Sequence, residues 1–149
     1  MNLHGDEPLI NIGDIQKLNK HMIQTKRDLG TLAAKINNKK VFEYHDIVKV
    51  ITEESLDDTK FPRAINFMRK LDKKNSHTYH HLGIYCYNVE ILKRFVSLKQ
   101  SPNEIKNKLE QLRALDNNIN INVALAKSSP IGVDTEEDFM AIKKIMEYK

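Results

Sequence analysis

Two acidic residues in the 149-residue chain sit where a carboxylate could do chemistry. Asp6 lies in Gly5-Asp6-Glu7-Pro8, a turn that follows the strand-like stretch Asn2-Leu3-His4. Asp134 lies in Gly132-Val133-Asp134-Thr135, just before a helical segment. Two hard oxygen donors from separate loops are what Mg²⁺ uses when substrate phosphates complete its shell. Each also has an ordinary use, Asp6 closing a turn and Asp134 capping a helix. A third group is His81-Leu82-Gly83-Ile84-Tyr85. In a strand, alternation puts His81, Gly83 and Tyr85 on one face, which suits a polar ligand or a buried His–Tyr pair equally well. Glu110 and Gln111 lie off the apolar stripe of their predicted helix. Lys106 and Arg113 flank Glu110 at helical spacing, so it reads as a surface ion-pair member or as a ligand for hydroxyl groups. His77, His80 and His81 do not read as a metal cluster, because adjacent strand residues diverge.

Elements must hold these groups in place. The length predicts one domain spanning residues 1–149 with a real core. Apolar residues make up 40% and charged residues 30%, a globular balance. The net charge of +4 comes from 24 Lys and Arg against 20 Asp and Glu, and lysine dominates the cations. No clustered basic face with interleaved aromatics appears, so no nucleic-acid partner is expected. The densest basic stretch, Arg69 to Lys74, reads as a solvated loop. No apolar run approaches the roughly 20 residues of a membrane helix, and acids near the start argue against a signal peptide. With one cysteine, Cys86, these features point to a cytoplasmic protein. The five glycines are too far apart for a dinucleotide fingerprint or a P-loop.

The pattern alternates strands with helices, which implies an α/β sheet. Asn11 caps a helix carrying Ile12, Ile15, Leu18 and Met22. Strands are predicted over Thr31 to Ile36, Asp46 to Thr52, Arg63 to Met68 and His81 to Tyr87, with a polar loop from Asp72 to Thr78. Asn88 caps a short helix with Ile91, Leu92 and Phe95. Ser101-Pro102-Asn103-Glu104 is a capping box that opens one helix with Ile105, Leu109, Leu112 and Leu115 as its stripe. Ile119 to Ala126 alternates as a half-buried strand, and a last helix starts at Asp134.

Four segments in order, GDEPLI, HLGIYCY, LEQLRALDN and GVDTEEDF, together resemble 3-deoxy-manno-octulosonate cytidylyltransferase, also called CMP-KDO synthetase. The resemblance runs along the whole chain. It implies the C-terminal part of a mixed sheet of the nucleotide-diphospho-sugar transferase type, flanked by helices. It also implies transfer of CMP from CTP to 3-deoxy-D-manno-octulosonate, releasing pyrophosphate for lipopolysaccharide biosynthesis. Asp6 would match the acid of the family's Q-G-D-E-P turn and Asp134 that of G-V-D-T, both as catalytic Mg²⁺ ligands. His81 and Tyr85 would match H-x-G-x-Y, Glu110 and Gln111 L-E-Q-L-R, and Arg69 the arginine of F-S-R; all five would bind substrate. A homodimer is expected as in relatives.

The chain departs from the family at His4, where glutamine is usual, and at Met68, where serine is usual; the R-x-x-I-P pattern after Arg69 is absent. The family's R-x-x-S-x-R-x-P-x-K loop, which holds the triphosphate and cytosine, has no counterpart here. The chain alone is therefore expected not to catalyse the transfer. The alternatives are an inactive remnant, a sugar-acid-binding or dimerisation module, and a fragment of the sialic-acid type.

Overall fold

The computed structural model describes residues 2–3 as backbone, and 11–37, 44, 46–71 and 77–127 in full. Its elements are β1 (Asn2–Leu3), α1 (Ile12–Thr25), β2 (Leu29–Ala34), β3 (Lys49–Thr52), β4 (Ala64–Met68), β5 (Thr78–Tyr87), α2 (Val89–Ser97), α3 (Pro102–Asn107), α4 (Gln111–Asp116) and β6 (Ile121–Leu125). The strands form one mixed sheet in the order β4-β3-β5-β2-β6, with β1 also on β5. β2 and β6 are parallel, while β5 runs antiparallel to β1, β2 and β3. The expected α/β sheet flanked by helices is thus what the described residues form.

Each sheet face buries its own cluster. On one, Leu18 and Met22 of α1 pack on Leu32, Leu82, Ile84 and Ala124. On the other, Phe95, Leu109 and Leu112 from α2 to α4 pack with Phe67, Tyr79, Tyr85 and Val123. Gly30 lets α1 approach: a Cβ there would lie 2.8 Å from Met22 Sδ and 2.9 Å from both Leu18 Cδ1 and Phe61 Cζ. Asn11 caps α1 by accepting the Gly13 N–H at 2.7 Å, as its position predicts. Ile12 nevertheless faces solvent; the buried face is Asp14, Leu18 and Met22. Asp14 is buried because its carboxylate accepts the Lys127 N–H at 2.9 Å.

Two sequence expectations change. The predicted single helix from Ser101 is two. The capping box forms, but Lys108 adopts a left-handed backbone with φ of 54° and ends α3. Its N–H and that of Leu109 both return to the Glu104 carbonyl, so the chain turns. That turn brings Leu109 into the core and leaves Ile105 exposed. β6 is buried on both faces rather than one. Asn122 is tolerated inside because its amide donates to the Phe61 carbonyl at 2.8 Å. The loop predicted at Asp72 lies largely outside the described residues, and β5 begins at Thr78, three residues earlier than its apolar pattern suggests. The helix predicted from Asp134 lies outside the described residues.

Candidate functional site

Alternation along β5 places Tyr79, His81, Gly83, Tyr85 and Tyr87 beneath α2 to α4. The rings form a continuous row. Phe67 meets His81 edge-on at 4.9 Å, His81 lies 5.6 Å from Tyr85, Tyr85 is 6.2 Å from Tyr87, and Tyr87 is 6.1 Å from Phe95. The Arg113 guanidinium then covers Phe95 at 4.9 Å. His81 and Tyr85, predicted to share a face, therefore touch.

Thr31 orients His81. Its hydroxyl lies 2.9 Å from His81 Nε2 and 2.7 Å from the Ile84 carbonyl. A hydroxyl has one proton and the carbonyl can only accept, so that proton goes to Ile84. His81 Nε2 must then donate to Thr31, so β2 fixes a proton on that nitrogen. The sequence signal missed here was Thr31 itself. It becomes visible only once the register sets Thr31 opposite Tyr85, beside an irregularity in the β2–β5 ladder.

The site also sits at a break in the sheet. β1 pairs with Ile84 and Tyr85, and β3 with Thr78 to His80, along the same edge of β5. The His81 N–H is taken by Val48 O at 2.9 Å. Two strands thus meet β5 end to end on either side of Gly83. The carboxyl ends of β1, β2 and β6 all point to the His80–His81 end of β5. In open α/β sheets this is the side where ligands bind. Asp6 and Asp134 lie outside the described residues; the first follows β1 and the second follows β6. Among the described residues, no group of three or more His, Cys, Asp or Glu side chains could hold a metal ion.

Glu110 and Gln111 occupy the corner between α3 and α4. Glu110 is exposed, while Gln111, the first residue of α4, is buried. The predicted pairing with Arg113 is present only as a longer-range charge effect that helps keep the guanidinium protonated. Arg113 instead grips Glu104 through two bonds of 2.8 and 2.5 Å, and this pair holds the Glu104 carboxyl below its usual range. Glu110 acts on Tyr87: burial first, and then the Glu110 charge, push the Tyr87 phenol up to about 12. Tyr87 continues the alternation of His81 and Tyr85, a signal present in the sequence. Arg69, past β4, donates from Nε to Asn107 O at 3.3 Å and from Nη2 to Lys108 O at 3.0 Å.

On the opposite face, Lys49 is fully buried beside His80. Burial and the Arg69 charge lower the ammonium to about 8, and burial with the Lys49 charge lowers His80 to about 4.

A cytidylyltransferase family profile matches residues 1–121. The chain belongs to the cytidylyltransferase family. It is 39% identical over 147 residues to a 3-deoxy-manno-octulosonate cytidylyltransferase of Bartonella henselae, covering 98% of the chain and 60% of that relative. With the same-named protein of Thermodesulfovibrio yellowstonii it shares 42% over 151 residues, covering 98% and 59% respectively. A solved CMP:2-keto-3-deoxy-manno-octonic acid synthetase complexed with CTP superposes with a TM-score of 0.74 at 27% identity, covering 99% of this chain and 61% of that one. The chain spans about three fifths of the length of the curated relatives it matches. Among the described residues, no helix is long and apolar enough to cross a membrane.

Proposed function

We propose that the chain forms the sugar-acid side of a site that transfers CMP from CTP to 3-deoxy-D-manno-octulosonate with release of pyrophosphate. The observation that carries this reading is the His81–Tyr85–Tyr87 row, whose last phenol feels the Glu110 charge, in a chain of the cytidylyltransferase family. His81 and Tyr85 orient the sugar acid from the sheet. Glu110 and Gln111 approach it from the helices, with Glu110 accepting hydroxyl protons. Held in this way, the anomeric hydroxyl faces the α-phosphate of CTP, and most of the chain's contribution to rate is this positioning.

Asp6 and Asp134 are the residues that would hold Mg²⁺. Their carboxylates suit a hard cation. The strands before them, β1 and β6, end on the same side of the sheet. Three strand spacings separate those ends, about 14 Å, which the residues leading to Asp6 and Asp134 can span. When bound, Mg²⁺ supplies charge neutralisation at the phosphates. In this reading the protein is a cytoplasmic homodimer whose product serves lipopolysaccharide assembly.

The test is calorimetry on the 149-residue chain, titrating 3-deoxy-D-manno-octulosonate with and without CTP and Mg²⁺. Sugar-acid binding is expected, weakened at least about tenfold by Glu110→Gln or His81→Ala. Absence of sugar-acid binding under both conditions, or unchanged affinity in both variants, overturns the reading.

A further inference from the structure

β3 begins with a lysine that is fully buried, a costly place for an ammonium. Its Nζ donates to two main-chain carbonyls, Tyr44 O at 2.5 Å and Arg69 O. A methionine of similar length would fill the same space without desolvating a charge. What lysine adds is a grip on those two carbonyls.

One of them belongs to the residue that reaches the α3–α4 corner. The Arg69 guanidinium bonds the Asn107 and Lys108 carbonyls at the end of α3, where a helix's unpaired carbonyls favour a cation. Leu109, Glu110 and Gln111 follow at once. A chain of contacts therefore runs from Lys49 to the Arg69 backbone, from the Arg69 side chain to the end of α3, and from there to Glu110 and Gln111. The Arg94 guanidinium makes the matching contact at the other end of α4, to Asn117 O at 2.9 Å.

We propose that Lys49 is a positioning residue that, through Arg69, holds the α3–α4 corner so that Glu110 and Gln111 face the aromatic row of β5. The functional half of this proposal rests on Glu110 and Gln111 being sugar-acid ligands; the mechanical half stands without it. Arg69 in this arrangement serves the site through the corner.

Two readouts on the full chain test it, using Lys49→Met, Arg69→Met, Arg69→Lys and Glu110→Gln. The first is amide hydrogen exchange. Arg69→Met, a change at a half-buried side chain, is expected to speed exchange at Leu109 to Gln111 about tenfold while β6 stays protected. Lys49→Met should do the same, and Arg69→Lys should restore part of the protection. Unchanged exchange at the corner, or an equal rise in β6, overturns the proposal. The second is affinity for 3-deoxy-D-manno-octulosonate by calorimetry. Lys49→Met or Arg69→Met should each weaken it about tenfold, and each by clearly less than that in a Glu110→Gln background, where only Gln111 is left to misplace. Additive losses show that Arg69 acts on the sugar directly and overturn the relay. If the unaltered chain binds no sugar acid, the ligand reading fails, and the exchange result alone decides whether Lys49 positions the corner.

Discussion

His80 should make stability fall with acid over a defined window. Its ring is buried beside Lys49, and burial first, then the lysine charge, lower it from 6.5 to about 4. In the unfolded chain it takes up a proton near pH 6.5, while in the folded chain it does so only near 4. Stability is therefore full above 6.5 and is lost as the pH drops toward 4, because the unfolded state binds more protons there. A shift of that size corresponds to about 3 kcal/mol at 1.36 kcal/mol per unit, with about 2 kcal/mol lost between pH 6.5 and 5. Glu53 and Glu104, held low by Arg63 and Arg113, add their own losses as the pH falls below the unfolded carboxylate range. The interval from 6.5 to 5 therefore isolates the histidines. His21, lowered by burial, acts in the same direction. The comparison that removes it is His80→Gln against the unaltered chain, with urea midpoints measured at several pH values and the slope m held constant. The variant should lose much less stability over that interval. Lys49→Met, which deletes the second cause, should give an intermediate slope. Parallel curves for His80→Gln and the unaltered chain would show that His80 is protonated in the fold and that the argument is wrong.

Gly30→Ala should cost about 1–3 kcal/mol by overpacking, since three atoms from different residues lie within 2.9 Å of the new Cβ; a urea midpoint that does not fall contradicts this. Tyr87 should ionise near 12 in an ultraviolet phenolate titration, assigned by loss of that signal in Tyr87→Phe, and Glu110→Gln should lower it while burial keeps it above 10. Arg113→Met should cost about 3–5 kcal/mol by thermal unfolding, because Glu104 is left charged and buried, and the pair replacement Arg113→Met with Glu104→Gln should recover part of it, since glutamine is neutral and still accepts the Ser101 N–H.

Local signals were legible in the sequence and long-range ones were not. The Asn11 and Asn88 caps and the Ser101–Glu104 capping box form as their residue types dictate, because each needs only neighbours within three positions. The break at Lys108 was hidden for the opposite reason. Lysine has no special liking for φ of 54°, and the leucine spacing on either side of it is that of one helix. What stabilises the break is tertiary: burial of Leu109, and Arg69 closing on the Asn107 and Lys108 carbonyls from another element. Likewise Asn122 reads as a solvent-facing residue until the segment around Phe61 comes alongside β6 and takes its amide proton.

The candidate site divides along the same line. His81, Gly83 and Tyr85 share a face by strand period alone, so the sequence was enough to pair them. That Tyr87 completes the row was also available, two residues on. Which His81 nitrogen carries the proton was not, because it depends on Thr31 in β2, fifty residues earlier, and on the Ile84 carbonyl competing for the threonine hydroxyl. Nor could spacing say that Arg113 would bond Glu104 rather than Glu110. Glu104, six residues before Glu110, bonds that guanidinium, and the Glu110 charge acts at longer range on both Arg113 and the Tyr87 phenol. The break at Lys108 sets Glu110 at the corner between α3 and α4, and it depends on Arg69, just past β4, and on the hydrophobic core rather than on the helix's own sequence.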